Sequence, residues 1–106
     1  MHYDFLMKRM RPSLYSPEMA WLRQTLVGRR LELNLTQKML AERMGVILSF
    51  IGKVETGERR LDIAEFVRYC QALELNPSLV LEEFCAKLEE QHPPMMMSRL
   101  LNGAGR

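Results

Sequence analysis

Apolar side chains recur with a helical period in five stretches of this sequence, and the residues between them are cap and turn formers. Ser16-Pro17-Glu18 reads as a helix start, because the Ser oxygen can accept an orphan backbone N–H and Pro costs nothing at the first helical position. The first helix is predicted from Pro17 to about Leu33. Leu22, Leu26, Arg30 and Leu33 fall at spacings of three and four on one face, which leaves a charge, Arg30, on an apolar stripe. Thr36 caps a second helix that begins at Gln37. Leu35 before the cap and Leu40 within the helix form a hydrophobic staple, and Gly45 stops the helix after Met44.

A third helix follows at once, from about Leu48 to Glu55, with Val46 and Ile51 as its staple and Gly57 as its stop. Two short helices joined by a glycine turn make a helix-turn-helix. Asp62 with Glu65 three residues on resembles a capping box and opens a fourth helix over about 63–73, with Ile63, Phe66, Val67, Cys70 and Leu73 at helical spacing. Asn76-Pro77 starts a fifth, in which Leu81, Phe84, Cys85 and Leu88 trace one stripe to about Glu90. His92-Pro93-Pro94 ends it. The organisation expected is an N-terminal extension or arm over 1–15, one all-α domain over 16–91, and a flexible tail over 92–106. Tyr3, Phe5 and Met7 alternate over a few residues, so the arm reads equally as a short strand pairing with a second copy or as disordered.

A length of 106 residues suits one such domain. No apolar run reaches the roughly 18 residues of a bilayer span, and the opening Met1-His2-Tyr3-Asp4 lacks the form of a secretory signal, so the reading is a soluble, cytoplasmic protein without membrane contact. The net charge of +2 says little, but its distribution says more. Residues 1–16, 17–60, 61–91 and 92–106 carry +2, +3, −5 and +2, a basic front half and an acidic fourth-to-fifth-helix region. That asymmetry supports nucleic-acid binding only weakly. Cys70 and Cys85 lie on apolar helix faces and read as core thiols, not as a disulfide. His2 and His92 belong to no spaced ligand motif, so neither a metal nor another cofactor is expected. No phosphate loop, nucleophile–histidine pair or paired-carboxylate cleft points to an enzyme.

Leu35-Thr36-Gln37-Lys38-Met39-Leu40-Ala41-Glu42-Arg43-Met44-Gly45-Val46, followed by Ile51-Gly52-Lys53-Val54-Glu55-Thr56-Gly57, resembles the lambda-repressor-like helix-turn-helix family. The likeness extends from about Leu22 to Pro77. It implies a compact five-helix DNA-binding domain with the helix-turn-helix at the second and third helices, and a transcriptional regulator, read as a repressor, that binds duplex DNA as a homodimer. Gln37 resembles the glutamine that reaches a phosphate and braces the recognition helix, at a helix start whose N–H groups suit an anion. Lys38, Thr56, Arg59 and Arg60 are the other phosphate candidates. Arg30 and Glu55 resemble the ion pair that ties the first helix to the end of the third. The third helix resembles the recognition helix, with Ile47, Leu48, Ser49, Gly52 and Lys53 facing base edges. Leu81, Phe84 and Leu88 are the dimerisation candidates, serving core and partner at once.

Two positions depart from the family pattern. Ile47 stands where Ser or Thr caps the third helix, which forfeits about 1 kcal/mol, and Leu48 stands where a polar base-reading side chain is common. Such apolar groups could touch thymine methyls, pack against the chain's own arm, or face a protein. Two further functions stay open. One is an antitoxin whose extensions bind a toxin while the helix-turn-helix represses its operon, and the other is a protein-interaction module on the same scaffold. Lys8, Arg9 and Arg11 are compatible with an arm along a phosphate strand.

Overall fold

In a computed structural model describing residues 16–91, five helices follow one another: α1 (Pro17–Glu32), α2 (Gln37–Met44), α3 (Leu48–Thr56), α4 (Ile63–Ala72) and α5 (Pro77–Gln91). The arm, the tail and the readings placed on them lie outside the described residues. α1 and α4 end one residue before the sequence boundary because Leu33 and Leu73 are their C-caps, and α3 runs one residue further, to Thr56. No helix among the described residues is long and apolar enough to cross a membrane.

The helix starts follow local chemistry. Ser16 Oγ accepts from the Met19 N–H at 3.3 Å and Thr36 Oγ1 from the Met39 N–H at 3.0 Å. At α4 the capping box is reciprocal: Asp62 Oδ1 accepts from the Glu65 N–H at 2.7 Å, and the Asp62 N–H donates to Glu65 Oε1 at 2.9 Å. Ile47, the N-cap of α3, offers no side-chain acceptor.

Three helix ends share one device. Asn34, Gly45 and Glu74 adopt φ of +58°, +70° and +58°, and the apolar residue after each turns its N–H back onto the preceding helix. Leu35 donates to the Arg30 carbonyl at 3.0 Å, Val46 to Ala41 at 3.0 Å and Leu75 to Cys70 at 2.8 Å. These are Schellman closures, and they fold Leu35, Val46 and Leu75 back towards the core. At Gly57 φ is +88°, so the backbone itself selects glycine there, with the movable Arg23 guanidinium 3.1 Å from where a Cβ would stand.

α1 packs on α3 and α5, α2 on α3 and α4, and α4 on α5. Leu26, Leu40, Ile51, Tyr69 and Leu73 form the centre of the core, which Leu22, Val54, Phe66, Cys70 and Val80 extend. Truncating one of the central leucines to Ala would cost on the order of 2–5 kcal/mol. Arginines close the helix C-termini across the fold. Arg29 Nε donates to the Leu73 carbonyl at 2.9 Å, Arg43 Nη1 to Ala72 at 2.9 Å, and Arg68 Nη2 to Met44 at 3.2 Å. Each places a cation where orphan carbonyls and the helix dipole favour one.

The α5 stripe divides. Val80 is buried, Phe84 and Leu88 are half-buried, and Leu81 and Cys85 are exposed. Cys85 is therefore not a core thiol as the sequence suggests. Phe84 turns inward onto Trp21, with ring centroids 6.5 Å apart, and that rotation carries Cys85 off the packed face.

Candidate nucleic-acid interface

α2 and α3 are joined by Gly45, Val46 and Ile47, and α3 divides sharply between its two sides. Ile51 and Val54 point into the core, while Leu48, Ser49, Lys53 and Thr56 are exposed and Gly52 lies open between them. At 3.6 residues per turn those five positions occupy one continuous arc of roughly 140°. A Cβ added at Gly52 would meet nothing within 4 Å, so the backbone itself lies at the surface there. Ile47 at 73% and Leu48 at 50% exposure put an apolar patch at the start of this face. Met39 on α2, also exposed, adds to the apolar surface of the motif and was not singled out from the sequence.

Behind this face, a single carboxylate gathers three elements. Arg30 donates from Nε to Glu55 Oε2 at 2.7 Å and from Nη2 to Oε1 at 3.1 Å, while its Nη1 donates to the Leu35 carbonyl at 2.8 Å. Gln37 Nε2 donates to Glu55 Oε1 at 2.8 Å. The start of α2, the end of α1 and the end of α3 therefore meet at Glu55. An amide nitrogen carries two N–H groups, so Gln37 keeps one for an acceptor outside the protein. Tyr69 is fully buried nearby, and burial, with Glu55 adding to it, pushes its hydroxyl pKa well up, so it remains a neutral phenol.

The cations differ in their commitments. Lys38 and Lys53 are exposed and make no ion pair or side-chain hydrogen bond among the described residues. Arg59 donates from Nη1 and Nη2 to the two oxygens of Glu65, both at 2.9 Å, and from Nη1 to the Arg60 carbonyl at 2.8 Å. Its Cζ lies 4.6 Å from the centroid of the Phe50 ring. This bonding raises the Arg59 pKa, and the same guanidinium, with the Asp62 N–H, lowers the Glu65 carboxyl below its ordinary value.

A helix-turn-helix family model matches residues 29–80. The solved structure of an XRE-family like protein from Pseudomonas syringae pv. tomato is 36% identical, with a TM-score of 0.63 over 66% of this chain and 85% of that one. The chain belongs to the XRE, or lambda-repressor-like, helix-turn-helix family. The clp gene regulator ClgR from Corynebacterium glutamicum shares the fold, at 24% identity and a TM-score of 0.58 over 88% of this chain and 95% of that one. No curated protein matches the chain. The XRE type is one of DNA-binding transcription regulators, and the matched segment spans the whole helix-turn-helix, from Arg29 in α1 to Val80 in α5.

Within this XRE-family domain, the residues singled out from the sequence fall into three groups. Leu48, Ser49, Gly52 and Lys53 share the outward arc of α3 with Thr56, and Ile47 borders it. Gln37 and Lys38 sit on the first turn of α2, and Arg59 and Arg60 on the loop after α3. Leu81, Phe84 and Leu88 lie on α5, and Leu81 and Phe84 line one cavity with Val54 of α3 and with Arg59 and Arg60. The sequence reading missed the arginine braces Arg29, Arg43 and Arg68, whose carbonyl partners leave no signature in composition or spacing.

Proposed function

We propose that this protein is a transcriptional repressor that binds a two-fold operator in double-stranded DNA as a homodimer. The observation that carries the proposal is the continuous exposed arc of α3, held from behind by the Arg30–Glu55–Gln37 network. A helix so presented fits the major groove, with Leu48, Ser49, Gly52 and Lys53 at base edges and Ile47 at the rim. Gln37, Lys38, Thr56 and Arg60 flank the groove, where phosphates lie. Repression needs only that the bound protein occlude its site, and such a regulator works where the chromosome is, in the cytoplasm.

Dimerisation is assigned to α5. Leu81 is 42% exposed on α5, and a second copy would cover it. Two-fold symmetry would then set the recognition helices roughly 34 Å apart. Selection of bound duplexes from a random pool tests the proposal: paired, inverted half-sites one turn apart support it, and recovery of no common sequence rejects it.

The exposure of Ile47 and Leu48 favours a second reading, a protein-interaction module that retains the helix-turn-helix scaffold. That reading requires DNA binding that is weak and nearly independent of salt, because phosphate contacts release counterions.

A further inference from the structure

We propose that Glu65 is a specificity-determining residue, which holds Arg59 against the recognition helix and away from the DNA backbone. The inference rests on the DNA-binding reading and concerns Arg59, the first of the two arginines of the α3–α4 loop. Arg59 is committed on three sides: its terminal nitrogens reach both Glu65 oxygens and the Arg60 carbonyl, and its guanidinium lies over Phe50. Phe50 belongs to α3 and packs on the fully buried Tyr69, with ring centroids 6.4 Å apart. The cation therefore rests on the flank of the recognition helix, with its side chain 41% exposed.

Glu65 is itself fixed. Its Oε1 accepts from the Asp62 N–H as one half of the α4 capping box, so the carboxylate cannot follow Arg59 towards a phosphate without breaking that half of the box. A phosphate would have to displace a fixed, bidentate, charge-assisted partner. The consequence is selective. Phosphate contacts strengthen binding to every sequence alike, so withholding one lowers non-specific affinity, while the contact with Phe50 keeps α3 oriented for base readout. Arg59 is then a positioning residue.

Glu65→Gln separates charge from capping, because Gln also serves at this position of the box. The experiment measures binding against salt concentration, on a selected duplex and on a random duplex of equal length, for wild type, Arg59→Ala, Glu65→Gln, the double variant and Arg60→Ala. Glu65→Gln should steepen the slope of log K on log salt by about 0.9, so that a step from 50 to 200 mM salt weakens binding about 3.5-fold more than in wild type. It should also tighten binding to the random duplex and narrow the ratio between the two. Arg59→Ala should leave the slope at the wild-type value while weakening the selected duplex, and the double variant should return to the wild-type slope. A fall of about 0.9 for Arg59→Ala alone, or an unchanged slope for Glu65→Gln, overturns the proposal. A fall for Arg60→Ala reports on the DNA reading separately. Elution from immobilised heparin needs no operator: Glu65→Gln should elute later than wild type and the double variant with wild type, and any other order of these three overturns the masking of Arg59 whatever the fate of the DNA reading.

Discussion

Arg30 and Glu55 form a two-pronged ion pair, with bonds of 2.7 and 3.1 Å, between the last turns of α1 and α3. Their side chains are only 11% and 9% exposed, so the pair stands between core and solvent. Attraction between buried ions roughly offsets their desolvation, so the pair contributes more to where α3 lies than to how stable the fold is. Because Gln37 shares Glu55 Oε1, the α2 start that would meet a phosphate is positioned by the same carboxylate.

Breaking this pair on one side should be severe. Arg30→Ala or Glu55→Ala leaves an unpaired buried charge and should cost about 3–5 kcal/mol. Replacing both by apolar residues of similar volume should recover most of that loss. A double-mutant cycle by urea denaturation measures the coupling, and additive single effects would show that the bonds carry no energy.

Gly52 offers a trade between stability and binding. An alanine there meets nothing within 4 Å, and the same holds at Gly28 in α1. Either Gly→Ala change should stabilise the free protein by up to about 1 kcal/mol, since glycine is the poorer helix former. Only Gly52→Ala should weaken DNA binding, because its methyl group would stand on the recognition face. Thermal melts with a binding titration on both variants check this, and equal binding by the two would remove Gly52 from the interface.

The helices and their turns were legible in the sequence because caps, staples and stops are local. Thr36 with Leu35 and Leu40, Gly45 before Val46, and Asp62 with Glu65 each announce a boundary within five residues. What the sequence could not convey runs across the fold. Arg29 meets the Leu73 carbonyl from 44 positions away, and carbonyls are present at every residue, so no spacing betrays the brace. Arg59 and Arg60 look alike as neighbours, yet the loop returns Glu65 to Arg59. On α5 the apolar stripe was broader than its packed face, and only tertiary packing could decide that Phe84 turns in and Cys85 out.

That division sharpens the test of self-association. Leu81→Glu places a charge on an exposed position and should give a folded monomer with near wild-type melting behaviour. Phe84→Ala opens the packing on Trp21 and should destabilise the monomer by roughly 2–4 kcal/mol, somewhat below the range for a fully buried Phe. Sedimentation velocity across micromolar concentrations reads the first effect. A wild-type monomer at high micromolar concentration would reject α5 as the interface.

The two thiols should react at very different rates. Burial pushes the Cys70 pKa up to about 11 and also denies reagents access, whereas Cys85 is exposed. The thiolate is the reactive form, so native protein should show one fast equivalent with a thiol reagent and a second only on unfolding. Cys85→Ser should abolish the fast phase. Fast modification of Cys70 in the folded Cys85→Ser protein would mean that the core opens locally.

Leu48 carries the most direct test of what α3 reads. It lies in the first turn of α3, half exposed, where a recognition helix would bring its side chains to base edges. A leucine can contact the methyl group of thymine but offers no hydrogen bond, whereas glutamine can bond both N6 and N7 of adenine. Leu48→Gln should therefore shift the selected half-site from thymine towards adenine at one position, by about 1–3 kcal/mol. No phosphate contact changes, so the salt slope should stay at the wild-type value. Stability should move by no more than about 0.5 kcal/mol, because the side chain already faces solvent. Repeating the selection with Ser49→Ala and Lys53→Ala should alter other positions of the same half-site. If all three variants select the wild-type sequence, the outward arc does not read bases, and Ile47 and Leu48 form a surface for protein.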